Sequence, residues 1–191
     1  LVLRAWQKKD SKRSLTIVRP TVIFGEGNRG NVFNLLKQIH SGRFLMIGPG
    51  ENKKSMAYIE NITAFLQHCL SFGPGTRVYN YIDNPDYSMN QLVSQVRKSL
   101  FKKDDVGLRL PLWMGLCIGY LADAVSGLTK LSLPISSIRV KKFTSDTSFS
   151  ATAAHAVEGF VPPVTIHKGL ENTLVHEFIT PVSGSEEFFT E

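Results

Sequence analysis

Gly25, Gly27 and Gly30 crowd into the stretch SLTIVRPTVIFGEGNRGN, directly after a short apolar run. Glycines admit positive φ and let a ligand approach the backbone closely. Asn31 and Val32 then open a segment of helical spacing, where free N–H groups at a helix start could meet a diphosphate. An ordinary capped helix after a flexible loop has the same pattern. Between the run and the loop stand Arg19, Pro20, Thr21 and Val22. Pro20 fixes φ and gives up a donor, so the backbone leaves its sheet stiffly whether it ends a plain strand or passes a ligand. Lys54 in PGENKK, and Lys141 and Lys142 in RVKKF, are cations suited to phosphate groups, although solvated surface lysines read the same way. Phe44 could lie beside a planar base or belong to a core.

The elements that must position these residues alternate. Residues 1–9 read as the end of a helix and Leu15–Val18 as a strand apolar enough for burial on both faces. A helix follows over 31–41, with Gly42 as its stop. Short strands are expected at FLMIG and MAYI, a helix over 60–70, and a strand at VYNYID. Ser88 caps the helix MNQLVSQVRKSL, since its hydroxyl can accept from N–H groups the first turn leaves free. VGLRLP is a further short strand, a helix starts near Leu112, Ser136 or Ser137 caps a turn into RVKKF, and a last helix covers about 167–178. The tail, 180–191, has little to pack and is expected to be mobile.

Composition narrows the classes. With 191 residues, 42% hydrophobic, the chain can bury the core of one domain or two small ones. The longest apolar run, LPLWMGLCIGYLADAVSGL, is broken by Pro111, glycines and Asp123, and reads as a buried or amphipathic helix. Membrane association is not expected from it. The opening LVLRAWQKKDSKR lacks the order of a secretory signal. Cys69 and Cys117, far apart in apolar segments, are expected to be free buried thiols, which suits a reducing, cytoplasmic location. The five histidines show no metal-ligand spacing. A net charge of +6 favours anionic partners, but no nucleic-acid-binding motif accompanies it, so phosphates on a small molecule are preferred to nucleic acid.

Taken in order, the Arg-Pro after a strand, the loop GEGNRGN, RFLMIGPGENKKSMAYIEN, and the closing KKFTSDTSFSATAAHAVEGFVPP resemble the extended short-chain dehydrogenase/reductases. The branch is the NAD-dependent epimerases and dehydratases that act on nucleotide sugars. The resemblance implies an α/β fold: a partial Rossmann-type, doubly wound sheet plus a small mixed α/β substrate-binding domain. Residues 1–30 would be the end of the dinucleotide-binding domain. Residues 31–179 would be mainly the substrate domain, with about 60–85 packing back on the Rossmann part. The implied cofactor is NAD or NADP, and the implied substrate a nucleotide-diphosphate sugar.

By the same resemblance, Pro20 and Thr21 pass the nicotinamide. Val22 stands where relatives carry a substrate-touching Asn, and Asn31, Val32, Phe44, Lys54, Lys141 and Lys142 fall on substrate-binding positions, the lysines as a two-cation clamp. Asp146 and Gly159-Phe160 would be structural. The family's catalytic Tyr-x-x-x-Lys pair and its glycine-rich dinucleotide turn have no counterpart here: none of the five tyrosines has a lysine four residues later. The chain is therefore expected to be the C-terminal part of such an enzyme, with no catalytic residue of its own and no activity alone. The resemblance allows a homodimer of the intact enzyme. A hydroxysteroid-dehydrogenase-like oxidoreductase and a non-catalytic binding module remain the alternatives.

Overall fold

A computed structural model describes residues 2–129, 133 and 135–181. The chain divides into two units. The first draws its described residues from Leu1–Asn34, Ser55–Asp86 and Phe149–Glu191, the second from Leu35–Lys54 and Tyr87–Ser148.

In the first unit, helix α1 (Val2–Lys8) leads into β1 (Ser14–Pro20), which pairs in parallel with β6 (Gly75–Tyr81), Leu15 opposite Thr76 and Pro20 opposite Tyr81. The short strands β2 (Val22–Phe24) and β5 (Met56–Tyr58) form a second parallel pair. The remaining elements are the first turn of α2 (Asn31–His40), α3 (Ile59–Cys69), α7 (Thr152–His155) and α8 (Ile166–Leu174), the last continued by a π turn over Val175–Ile179. The core is aromatic. Phe65 packs on Tyr81 and on Phe160 with ring centroids 5.0 and 4.9 Å apart, among Ala57, Ile62, Ile82 and Ala154. Of β1 only Leu15 is buried, while Thr16, Ile17 and Val18 are half-buried. The two-sided burial expected of this strand is not reached among the described residues.

The second unit holds β3 (Met46–Ile47), β4 (Lys53–Lys54), β7 (Tyr87–Ser88), α4 (Met89–Phe101), β8 (Arg109–Leu110), α5 (Leu112–Thr129) and α6 (Ser137–Thr144). β3 pairs with β8 in parallel and β4 with β7 antiparallel. The capping box of α4 is complete: Ser88 Oγ accepts from Gln91 N–H, and Gln91 Oε1 accepts from Ser88 N–H. Ser136 caps α6, its Oγ accepting from Arg139 N–H.

Two further expectations are corrected. Cys69 is buried, but Cys117 is exposed, and both are free. Helix α5 was expected to be buried or amphipathic. Instead it buries little beyond Gly115 and Gly119, because it meets its unit through a strip of small residues. The tail expected to be mobile lies outside the described residues from 182 onward.

Candidate functional site

The glycine loop of the first unit is held by a carboxylate that arrives 150 residues later in the chain. Glu177 Oε1 accepts from Gly27 N–H at 2.7 Å, and Oε2 from Arg29 Nη1 at 2.6 Å. Burial works against the Glu177 carboxylate, but these donors together with His176 outweigh it and hold its pKa below the usual range. The Arg29 guanidinium lies 4.2 Å over the Phe33 ring, which stacks on Phe178. Asn28 completes the loop, its Oδ1 accepting from Gly30 N–H at the entry to α2. Asn31 is exposed at the helix start, whereas Val32 packs into the core and can offer a ligand only its backbone.

Beneath the loop sits Tyr58. Its hydroxyl donates to Glu26 at 2.9 Å and its backbone N–H to Asp83 Oδ2 at 2.7 Å. Its ring lies so close to Gly169 of α8 that a Cβ there would stand 2.6 Å from Tyr58 Cγ. Desolvation first, and the Glu26 charge after it, push the Tyr58 hydroxyl up to about 12. Asp83 also accepts from the Tyr81 hydroxyl at 3.1 Å; burial raises its pKa against these bonds. A phenol so strongly disfavoured as an anion is a fixed hydrogen-bond donor at neutral pH rather than a base.

At the end of β1, Pro20 is exposed and Thr21 N–H donates to Tyr81 O at 3.3 Å. Thr21 Oγ1 is buried with no partner, a condition it shares among the described residues with Thr16 Oγ1. A buried hydroxyl without a partner is costly unless something outside the described residues completes it. The position therefore fits a polar group of a nicotinamide cofactor, the role the family resemblance implies. Val22, next in the chain, is 40% exposed.

In the second unit Lys54 and Lys141 make different contacts. Lys54 Nζ donates to the carbonyl oxygens of Ser145 and Lys142, at 2.7 and 3.2 Å, and so closes the C-terminal end of α6. Burial lowers its pKa, with Asp146 acting in the opposite sense. Two of its three N–H groups are engaged by these carbonyls. Lys142 meets Lys54 through its backbone. Lys141 turns to α5, its ammonium 5.3 Å from the Tyr120 ring centre; its hydrogen bond to Tyr120, and Asp123 beyond it, raise its pKa. Phe44 packs on Phe143 of α6, ring centroids 6.1 Å apart. Asp146 accepts from Lys53 N–H at 2.7 Å, a structural bond.

The turn before Lys54 is clamped by residues that sequence reasoning passed over. Asn90 Nδ2 donates to Pro49 O and its Oδ1 accepts from Arg109 Nη2, while Arg109 Nη1 donates to Gly48 O. Glu177, Asp83 and Asn61, whose amide donates to Val164 O and accepts from Val164 N–H, were missed because most of their partners are distant in the chain. Tyr58 and Asn61 lie in AYIEN, and Asp83 closes the strand segment VYNYID.

No family model matches the chain. Over 180 residues it is 52% identical to the N-acetyl-alpha-D-glucosaminyl-diphospho-ditrans,octacis-undecaprenol 4-epimerase of Escherichia coli O157:H7, covering 93% of this chain and 54% of that protein. Over 171 residues it is 28% identical to the UDP-glucose 4-epimerase of Vibrio cholerae, covering 86% and 47%. The solved UDP-glucose 4-epimerase of Thermotoga maritima superimposes with a TM-score of 0.57 at 16% identity, over 86% of this chain and 46% of that one. The fold is thus that of the extended short-chain dehydrogenase/reductases. Sugar epimerases of this type are the chain's homologues and structural neighbours, and it aligns with their C-terminal part. The chain spans about half the length of the curated relatives it matches.

Proposed function

We propose that this chain is the substrate-binding part of an NAD(P)-dependent 4-epimerase acting on a sugar carried by a diphosphate, in particular a polyprenyl diphosphate. The 52% identity to an epimerase of an undecaprenyl-linked sugar carries this reading. The 28% identity to a UDP-glucose 4-epimerase supports a second one, in which the diphosphate belongs to a nucleotide sugar.

In this proposal NAD or NADP, when bound, supplies hydride transfer at the sugar carbon. Thr21 offers its hydroxyl to the nicotinamide and Pro20 stiffens the backbone there. Val22 borders the sugar. Within the second unit the Lys54 ammonium and the exposed side chains of Lys141 and Lys142 are the groups that neutralise phosphate, and Phe44 flanks the carrier; in the first unit Asn31 and Val32 open α2 with backbone N–H groups. As point charges the lysines suit a diphosphate without demanding one geometry. The chain holds no Tyr-x-x-x-Lys pair, so it is inactive without the cofactor half. We place the enzyme in the cytoplasm.

The test incubates the intact protein and NAD with N-acetylglucosaminyl diphosphate on a ten-carbon isoprenol and, separately, with UDP-N-acetylglucosamine. The first is expected to yield its 4-epimer. Turnover of the second alone establishes the nucleotide-sugar reading, and turnover of neither overturns both.

A further inference from the structure

Helix α5 shows two unlike faces. Gly115, Gly119 and Asp123, four residues apart, form the face that meets the rest of its unit. A Cβ at Gly115 would collide with Ile47, and one at Gly119 would stand 2.8 Å from the Ser137 backbone. Asp123 Oδ2 accepts from Ser137 N–H at 3.1 Å, at the start of α6. The other face is apolar and open: Trp113, Cys117, Tyr120, Leu121 and Leu128 recur at helical spacing. Trp113 is 67%, Leu121 68% and Leu128 87% exposed. α5 is also, among the described residues, the one helix long and apolar enough to cross a membrane.

We infer that the Trp113–Leu121–Leu128 face of α5 is a membrane-docking surface, which lies in the headgroup region of an anionic bilayer. Three observations select a bilayer over a protein partner. Trp113 and Tyr120 have an apolar body and a polar tip, the character of residues that settle at headgroup depth. Lys141 stands beside Tyr120, and Arg139 and Lys142 are exposed on the same short helix α6, so cations border the apolar face. A sugar diphosphate on an undecaprenyl chain is itself held at headgroup depth, so an enzyme that takes it must come to the surface. This last point rests on the polyprenyl reading above. The helix lies on the membrane and does not cross it. Its glycine face is occupied by the cationic α6, and Asp123 is tied to Ser137. A docked α5 carries α6 and the Lys54 ammonium, all in one unit, to the level of the diphosphate.

The test floats the intact protein with vesicles of phosphatidylethanolamine and phosphatidylglycerol, 3:1 as a starting ratio on the order of bacterial membranes. It compares the wild type with Trp113→Glu/Leu121→Glu. The wild type is expected to float and the variant to partition at least about tenfold less. Both should epimerise the ten-carbon isoprenyl substrate equally, while the variant loses turnover of the undecaprenyl substrate in vesicles. A wild type that stays with the soluble fraction, a variant that floats as well, or a variant whose oligomeric state changes overturns the surface. Face-dependent flotation with no epimerisation of either substrate supports the surface and overturns the substrate reading instead.

Discussion

Arg29 and Glu177, 148 residues apart in sequence, meet at 2.6 Å with side chains only 12% and 4% exposed. The pair anchors the π turn after α8 to the glycine loop, and Gly27 N–H makes it a three-way junction. Glu177→Gln leaves the buried guanidinium without its counter-charge and is expected to cost about 3 kcal/mol in a urea titration. Because Glu177 has a folded pKa below its unfolded value, near about 4.3, its contribution is complete above that value. It fades as pH falls through the folded pKa, so the gap between wild type and variant should narrow in acid. A gap that widens there would contradict the assignment.

Asp83, just beyond β6, ties two strands: it accepts from the Tyr58 backbone in β5 and from the Tyr81 hydroxyl in β6. Asp83→Ala strands two buried donors, at a cost of about 2–4 kcal/mol. Asp83→Asn keeps an acceptor and should recover at least half. Thermal melts of the three proteins measure the difference.

Thr21→Val removes a hydroxyl that has no partner among the described residues. Stability of the protein without cofactor should hold or rise by up to about 1 kcal/mol. If that hydroxyl faces the nicotinamide, the KM for NAD in the intact enzyme rises about threefold, a loss of under about 1 kcal/mol. A clear drop in cofactor-free stability would show that the hydroxyl serves the protein instead.

Lys54→Met separates two roles of one ammonium. Losing its bonds at the end of α6 should cost about 0.5–1 kcal/mol. Losing a phosphate contact should raise the KM for the sugar diphosphate about tenfold, with kcat little changed. Steady-state kinetics at constant ionic strength distinguish the two; an unaltered KM would remove Lys54 from the binding site.

Gly119→Ala pushes a methyl group against the Ser137 backbone, which cannot turn aside as a side chain can. We expect about 1–3 kcal/mol of destabilisation. Leu128→Ala, on the open face of the same helix, should change stability by less than about 0.5 kcal/mol. Comparable losses would mean that the open face is packed.

Local signals set most of the elements correctly. Ser88 three residues before Gln91 predicted a cap, and the capping box is there. Helical spacing in NVFNLLKQIH, closed by a glycine, predicted α2, and Gly42 has φ +70°. The order of the motifs GEGNRGN and GPGENKKSMAYIEN foretold the epimerase-like fold. What failed was placement. Cys117 and the α5 face read as interior because composition records apolarity and not the presence of a neighbour. The strands of the FLMIG and VGLRLP segments shrank to two residues each, since a short strand extends only as far as its partner does.

The sequence alone determined the alternation of strands and helices, the caps, the glycine loop after β1, and the lack of a Tyr-x-x-x-Lys pair. All of these depend on residues within a few positions of one another, where backbone sterics and helix-end hydrogen bonds decide the outcome. Only the tertiary structure decided that Glu177 holds the loop, that Lys54 closes α6 while Lys141 turns to Tyr120, and that α5 leaves an apolar face open. Those facts depend on which distant groups become neighbours, and in a buried site one well-placed donor or counter-charge outweighs any local preference.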